Sequence, residues 1–239
     1  MMEELLPESV VVVESHGDDE AEGATLYPEE LAVLTRAVGK RRREFTTVRV
    51  CARRAMEKLG VAPGPVLPGE RGAPQWPEGV IGSMTHCEGY GAAALARATD
   101  LASLGIDAEP HLALPEDVLD AVALPGESGR LDRLGARAPA VHWDRLLFSA
   151  KESVYKAWFP LTGKWLDFSG ADIDISLDEA SATGSLSGSL RAQLLVPGPV
   201  VDGASVQAFD GRWTVQGGLV ATAVTVPRAH SGPASGSGG

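Results

Sequence analysis

The chain has 239 residues with 44% hydrophobic content, enough for a substantial core in one large domain or two small ones. No apolar run reaches the ~18 residues of a membrane helix. The start, MMEELLPESVVVVESHGDDE, puts no basic stretch ahead of a long apolar one, so neither a membrane anchor nor a secretory leader is expected.

Cys51 and Cys87 are the only two cysteines, and neither sits in a CxxC pair. That argues against a disulfide framework or a zinc site and fits a reducing cytoplasm. The net charge of −11 is unevenly spread: Arg36 to Lys58 holds nine basic residues against Glu44 and Glu57, a window of +7 in a chain whose remainder is −18. A basic island in acidic surroundings points to one specific anionic ligand. It speaks against general nucleic-acid binding, because the acidic remainder would repel the polymer.

In chain order, SVVVVES reads as a buried strand and residues 14–25 as an acidic loop. The stretch from Pro28 to Gly60 reads as helices, with Pro28, Glu29 and Glu30 as a start signal and Gly60 as a stop. Within it Phe45, Val48, Ala52, Ala55, Met56 and Leu59 recur at helical spacing, and Arg42, Arg49, Arg53 and Arg54 lie mostly off that stripe. VAPGPVLPGERGAPQWPEG is loop by its Pro and Gly content. VIGSMTH and YGAAALARA form strands around a turn, and LASLGIDAE is a further strand stopped by Pro110. EDVLDAVAL is a helix, PGESGRLDRLGARAPA is loop-rich, and VHWDRLLFSAKESVYKAWF is a long helix. ADIDISL, ATGSLSGSL and RAQLLV are strand candidates, and GRWTVQGGLVATAVTV is a hairpin. The low-complexity tail, 227–239, is expected to be disordered. Strands and helices do not alternate as regular βαβ units, so the expected class is α+β.

Two segments carry candidate chemistry. In LGIDAEP the strand period of two puts Asp107 and Glu109 on one face, with Ile106 and Ala108 on the other. Paired carboxylates repel each other unless a cation offsets them. They suit Mg²⁺, although a solvated strand end explains the pair equally simply. In FSAKESVYKAW, Lys151 falls within the arc of Leu147, Phe148, Val154, Tyr155, Trp158 and Phe159, with Glu152 at its edge and Lys156 one turn on. A surface i,i+4 pair accounts for Glu152 and Lys156 but leaves Lys151 unexplained. A third carboxylate for a cation, with lysines facing phosphate oxygens, accounts for more of the pattern.

Taken together, GIDAEP and FSAKESVYKAW resemble the paired signature of the 4′-phosphopantetheinyl transferases, G-[IV]-D followed by [FW]-[SCT]-x-K-E-[AS]-x-x-K. RRREFTTVRVCARRAMEKLG, GERGAPQWP and GSMTHCEGYGAA are similar to the Sfp-like branch, especially its siderophore-type and actinobacterial members. The resemblance runs from about Lys40 to Trp165, with a weaker echo in GRWTVQGGLVATAV. An ordered set of five segments is specific where a lone KExxxK is not.

The resemblance implies an enzyme that moves the phosphopantetheine arm of coenzyme A onto a serine of an apo acyl or peptidyl carrier protein. Adenosine 3′,5′-bisphosphate is released. Partners of this kind belong to polyketide and nonribosomal peptide synthases and to siderophore biosynthesis. It implies Mg²⁺, with Mn²⁺ as a substitute, held by Asp107, Glu109 and Glu152. It also implies Glu152, Lys156 and Lys151 as catalytic residues, Lys151 by ion pairing or phosphate contact. Arg41, Arg49, Arg71, Thr85 and His86 would contact coenzyme A. Relatives carry a lysine at the place of Pro68, so Arg71 would serve there. The implied fold is a pseudo-two-fold pair of α+β halves, 1–107 and 108–226, in a cytoplasmic monomer that meets neither nucleic acid nor membrane. Two other readings stay open: a Mg²⁺-dependent phosphodiesterase or pyrophosphatase, and a nucleic-acid-binding module built on the basic helix.

Overall fold

The computed structural model describes residues 1–17, 23–35, 37–178 and 186–228. Two antiparallel sheets each carry one helix of 20 residues. The first sheet takes β1 (Val11–His16), β2 (Val80–Cys87) and β3 (Tyr90–Arg97) in the order β1-β3-β2. The short helix α1 (Pro28–Val33) leads into α2 (Gly39–Lys58), which lies on this sheet. The apolar stripe of α2 explains the docking: Cys51, Ala52, Ala55 and Met56 bury against Val13, Ala93 and Leu95. Glu30 of α1 is fully buried, ion-pairs with Arg53 at 3.0 Å and accepts from the backbone N–H of Val66 at 2.9 Å, so it ties α1, α2 and the following loop together.

The second sheet is β4 (Leu101–Pro110), β5 (Ala171–Leu177), β6 (Leu186–Leu194), β9 (Ala208–Gln216) and β10 (Leu219–Pro227), in the order β4-β10-β9-β6-β5. A two-stranded ribbon, β7 (Val200–Val201) with β8 (Ala204–Ser205), lies between β6 and β9 in the chain. On this sheet rests α5 (Trp143–Thr162), supported by α3 (Val118–Val122) and α4 (Pro125–Arg137). Leu146, Leu147, Ala150, Val154 and Trp158 of α5 join Ile173, Leu190, Trp213 and Val224 in the largest core, where Trp143 meets Trp213 edge-on at 5.3 Å. Among the described residues no helix is long and apolar enough to cross a membrane.

Where the two sheets meet, β2 and β4 run side by side without a backbone ladder. Hydroxyls take its place: Ser83 Oγ accepts from the Ile106 N–H at 3.1 Å, and Thr85 Oγ1 accepts from the Ala108 N–H at 3.0 Å. This satisfies backbone donors that would otherwise be buried without partners. The α+β class is as expected, and the GRWTVQGGLVATAVTV hairpin turns at Gly217 and Gly218, both at positive φ as a tight turn requires.

Several expectations need correction. The stretch from Pro125 is not loop but α4: Pro125 begins it, Glu127 accepts from the Leu124 N–H, and Leu131 and Leu134 bury against the main core, outweighing three glycines. The acidic loop does not begin at residue 14, because Glu14, Ser15 and His16 are still β1; residues 18–22 lie outside the described residues. The division expected at 107/108 lies within β4, where Asp107 stands opposite Thr222 and Ala108 opposite Ala221 of β10. RAQLLV is not a separate strand: its first four residues, Arg191 to Leu194, end β6, and Leu195 and Val196 follow it; residues 179–185 lie outside the described residues. The last strand includes Pro227, and Arg228 donates to Ala98 O and Asp202, while residues 229–239 lie outside the described residues.

Candidate active site

A cleft of about 780 Å³ opens between the two halves. One wall is basic. Arg41 and Arg49 project from α2 with Phe45 between them, Arg71 from the loop after it, and His86 from the end of β2. The spacing of Arg41, Phe45 and Arg49 by four places all three on one helical face. The guanidinium of Arg49 stacks 3.2 Å above the Phe45 ring and donates Nε–H to Val66 O. Burial pulls its pKa down to about 10, which still leaves it charged at neutral pH. His86 Nε2 lies 3.0 Å from Arg41 Nη1 and 3.4 Å from Glu44 Oε2. Burial keeps His86 below its ordinary pKa; Arg41 and Lys156 push the same way against Glu44. Arg71 adopts a left-handed backbone (φ 54°) and holds its guanidinium 5.3 Å over Trp165, so a residue of the first half reaches across to the second.

The opposite wall is supplied by α5, which brings Glu152, Tyr155, Lys156 and Phe159 to the cleft. Beside it β4 presents Asp107. Lys156 Nζ donates to Asp107 Oδ1 at 2.8 Å and to Ile106 O at 3.0 Å. Thr85 Oγ1 donates to the same Asp107 oxygen at 3.3 Å. Asp107 is 5% exposed, and its other oxygen, Oδ2, is buried without a hydrogen-bond partner. Burial raises the pKa of Glu152, Asp107 adding to the effect and Lys156 opposing it. Glu109 is likewise raised, by burial and then by Asp107, against Arg145 and Lys156. Cys87 is no nucleophile here: burial and the nearby carboxylates push its thiol up to about 12.

Mutual repulsion among Asp107, Glu109 and Glu152, together with the orphaned Asp107 Oδ2, fits a hard divalent cation. The cage is not preformed: among the described residues no group of three His, Cys, Asp or Glu side chains is gathered closely enough to hold a metal. Lys156 stands on Asp107 and Arg145 on Glu109, each supplying part of the positive charge.

Two expected site residues find partners inside the protein. Thr85 is buried and does not line the cleft; instead of a phosphate it meets Asp107 and the Ala108 N–H, so it orients the carboxylate. Lys151 is 4% exposed, and its ammonium donates to Phe168 O at 2.7 Å and Ala171 O at 2.6 Å and ion-pairs with buried Glu127 at 2.8 Å. Of the two expected alternatives, ion pairing or phosphate contact, the ion pair is the one present, and the three partners tie α5 to α4 and β5. Burial lowers its pKa and Glu127 opposes that. Replacing Lys151 by Met leaves Glu127 as an uncompensated buried charge, so urea unfolding should show about 3–5 kcal/mol lost. Adding Glu127→Gln, which keeps an acceptor for the Ile173 N–H, should restore part of that loss.

The residues that sequence reasoning missed are Ser83, Glu127 and Arg145. Ser83 shares a strand face with Thr85 by the period of two. Glu127, in the first turn after Pro125, carries a readable helix-start signature. Arg145 has no signal beyond its place in the first turn of α5.

Comparison with known proteins agrees with this geometry. Residues 28–96 match the family model described as the 4′-phosphopantetheinyl transferase N-terminal domain, and residues 103–194 match that of the 4′-phosphopantetheinyl transferase superfamily. The chain is 55% identical over 227 residues to 4′-phosphopantetheinyl transferase Svp of Streptomyces mobaraensis, covering 95% of this chain and 89% of that one. It is 48% identical over 204 residues to 4′-phosphopantetheinyl transferase PptT of Mycobacterium tuberculosis, with 85% and 87% covered. With 4′-phosphopantetheinyl transferase Npt of Nocardia iowensis it shares 46% over 228 residues, covering 94% and 99%. Matched in both halves and along nearly its whole length, the chain belongs to the 4′-phosphopantetheinyl transferase superfamily.

Proposed function

We propose that the chain transfers the 4′-phosphopantetheine arm of coenzyme A to a serine hydroxyl of an apo carrier protein, with Asp107, Glu109 and Glu152 as the ligands of a divalent cation. The observation that carries this reading is the polarity of the cleft, with Arg41, Arg49, Arg71 and His86 on one wall and Glu152 with Lys156 on the other. Guanidinium forks bind phosphate oxygens two at a time, so the basic wall suits the 3′-phosphate and pyrophosphate of coenzyme A. The serine oxygen attacks the β-phosphorus. A new P–O bond forms there, the bond from that phosphorus to the bridging oxygen breaks, and adenosine 3′,5′-bisphosphate leaves with the bonding pair. Glu152 takes the serine proton, directly or through a water. Lys156 donates toward the charge that gathers on the pyrophosphate. Mg²⁺, when bound, neutralises pyrophosphate oxygens.

Incubating the protein with coenzyme A, Mg²⁺ and apo acyl or peptidyl carrier proteins should add one phosphopantetheine arm to the carrier, read by intact mass. EDTA should stop the reaction. Coenzyme A consumed with no gain on any carrier would replace this reading with hydrolysis of the pyrophosphate.

A further inference from the structure

Arg145, in the first turn of α5, is 16% exposed and makes three directed contacts. Nη1 donates to Glu109 Oε2 at 3.0 Å, Nε to Leu112 O at 3.0 Å and Nη2 to Ala113 O at 3.1 Å. Its neighbours complete a strap: Asp144 Oδ2 accepts from the Leu114 N–H at 2.7 Å, and His111 Nε2 accepts from the His142 N–H at 3.1 Å. The segment that follows Glu109 is thereby fixed to the start of α5, and one oxygen of Glu109 is committed to a cation belonging to the protein.

Arg145 does not line the cleft, so it differs from Lys156, which stands there beside Glu152. Three acidic groups, Asp107, Glu109 and Glu152, face these two basic ones. We infer that Arg145 is a positioning residue that holds Glu109 to a single-oxygen approach and thereby limits how tightly the divalent cation is bound. The inference rests on the reading of the three carboxylates as cation ligands. Two physical effects act in the same direction. A fixed positive charge next to the site repels a dication, and the single Nη1–H that engages Oε2 keeps Glu109 from closing on the cation with both oxygens. The cost to affinity leaves an ion that can come and go with its substrate and product.

Arg145→Gln removes the charge yet keeps an amide donor for the carbonyls of Leu112 and Ala113, and Arg145→Lys keeps the charge. Mn²⁺ binding to the full chain, without coenzyme A or carrier, is measured from the electron paramagnetic resonance signal of the free ion. The Gln variant should bind Mn²⁺ about tenfold more tightly than the unmodified protein, and the Lys variant should stay within about threefold of it. In a Glu109→Gln background the gain from Arg145→Gln should shrink to less than about threefold, because the freed oxygen is gone. Damage to the fold weakens a site and does not tighten it, so tightening separates this role from a merely structural one. Unchanged or weaker binding by the Gln variant overturns the inference, as does a Lys variant that tightens as much as the Gln variant, or no saturable Mn²⁺ binding by the unmodified protein. The carrier assay fails or succeeds separately, since metal affinity is read here without any transfer.

Discussion

Glu152→Gln should abolish transfer while the protein stays folded. Gln has the shape of Glu but neither takes a proton nor offers an anionic ligand, so both proposed roles vanish with minimal change in volume. Loss of a general base alone costs about 10²–10⁴-fold in rate, and loss of a cation ligand adds to it. Stability moves the other way. Burial holds the Glu152 carboxyl above its ordinary pKa, so the folded chain binds this proton more tightly than the unfolded one does. The contribution of the group is therefore fully present below its unfolded pKa and is lost as pH rises through the raised folded value. A neutral amide avoids that loss, so Glu152→Gln should melt at or above the temperature of the unmodified protein at slightly alkaline pH. Transfer by intact mass and a thermal melt on one preparation check both halves. Near-normal turnover would remove Glu152 from the reaction; a collapsed melt would make it a structural residue instead.

This opposition between function and stability is also what made the site readable. The proposed chemistry sits where local rules are broken: carboxylates two apart at a buried strand end, and charges on a helix otherwise given to the core. Alternation placed Asp107 and Glu109 on one face of β4, and Leu104, Ile106 and Ala108 do fill the cluster between the sheets. What the sequence hid is which partner each charge finds. Lys151 lies in the aromatic arc as its spacing required, but Glu127, which neutralises it, comes from α4, a helix whose Gly126, Gly129 and Gly135 make it read as loop. Tertiary burial of Leu131 and Leu134 decides that helix, and a pattern within one segment cannot register it. Thr85 is the reverse case. Its place next to His86 pointed to a ligand, whereas the seam between β2 and β4 needed a hydroxyl to replace a missing ladder. No periodicity announces a gap between two sheets that only folding brings together.

Gly105→Ala should disable the enzyme from a position that carries no chemistry. On β4 the residues facing α5 are Ser103, Gly105 and Asp107 in turn, and Ser103 Oγ donates to Ala157 O at 2.7 Å. Between them the helix approaches the strand so closely that a Cβ on Gly105 would sit 2.0 Å from Ser153 O and 2.7 Å from Ala157 N. Both obstacles are helix backbone, so no side chain can rotate away, and α5 must move as a body. Its seat resists that movement, since Ser149 and Ser153 are hydrogen-bonded to Thr222 of β10 at 2.9 and 2.7 Å. The strain falls at the upper end of the range for overpacking, about 3 kcal/mol. A shift of α5 away from β4 also lengthens the 2.8 Å contact from Lys156 to Asp107 and moves Glu152 with it. Displacement of about 1 Å at a reacting centre costs on the order of 10²-fold in rate. Denaturant unfolding should show the strain, and the carrier assay, run well below the melting temperature, should show about a hundredfold loss of transfer by the protein that remains folded. Transfer at the unmodified rate would mean that the spacing of β4 and α5 does not set the alignment of Glu152, Lys156 and Asp107.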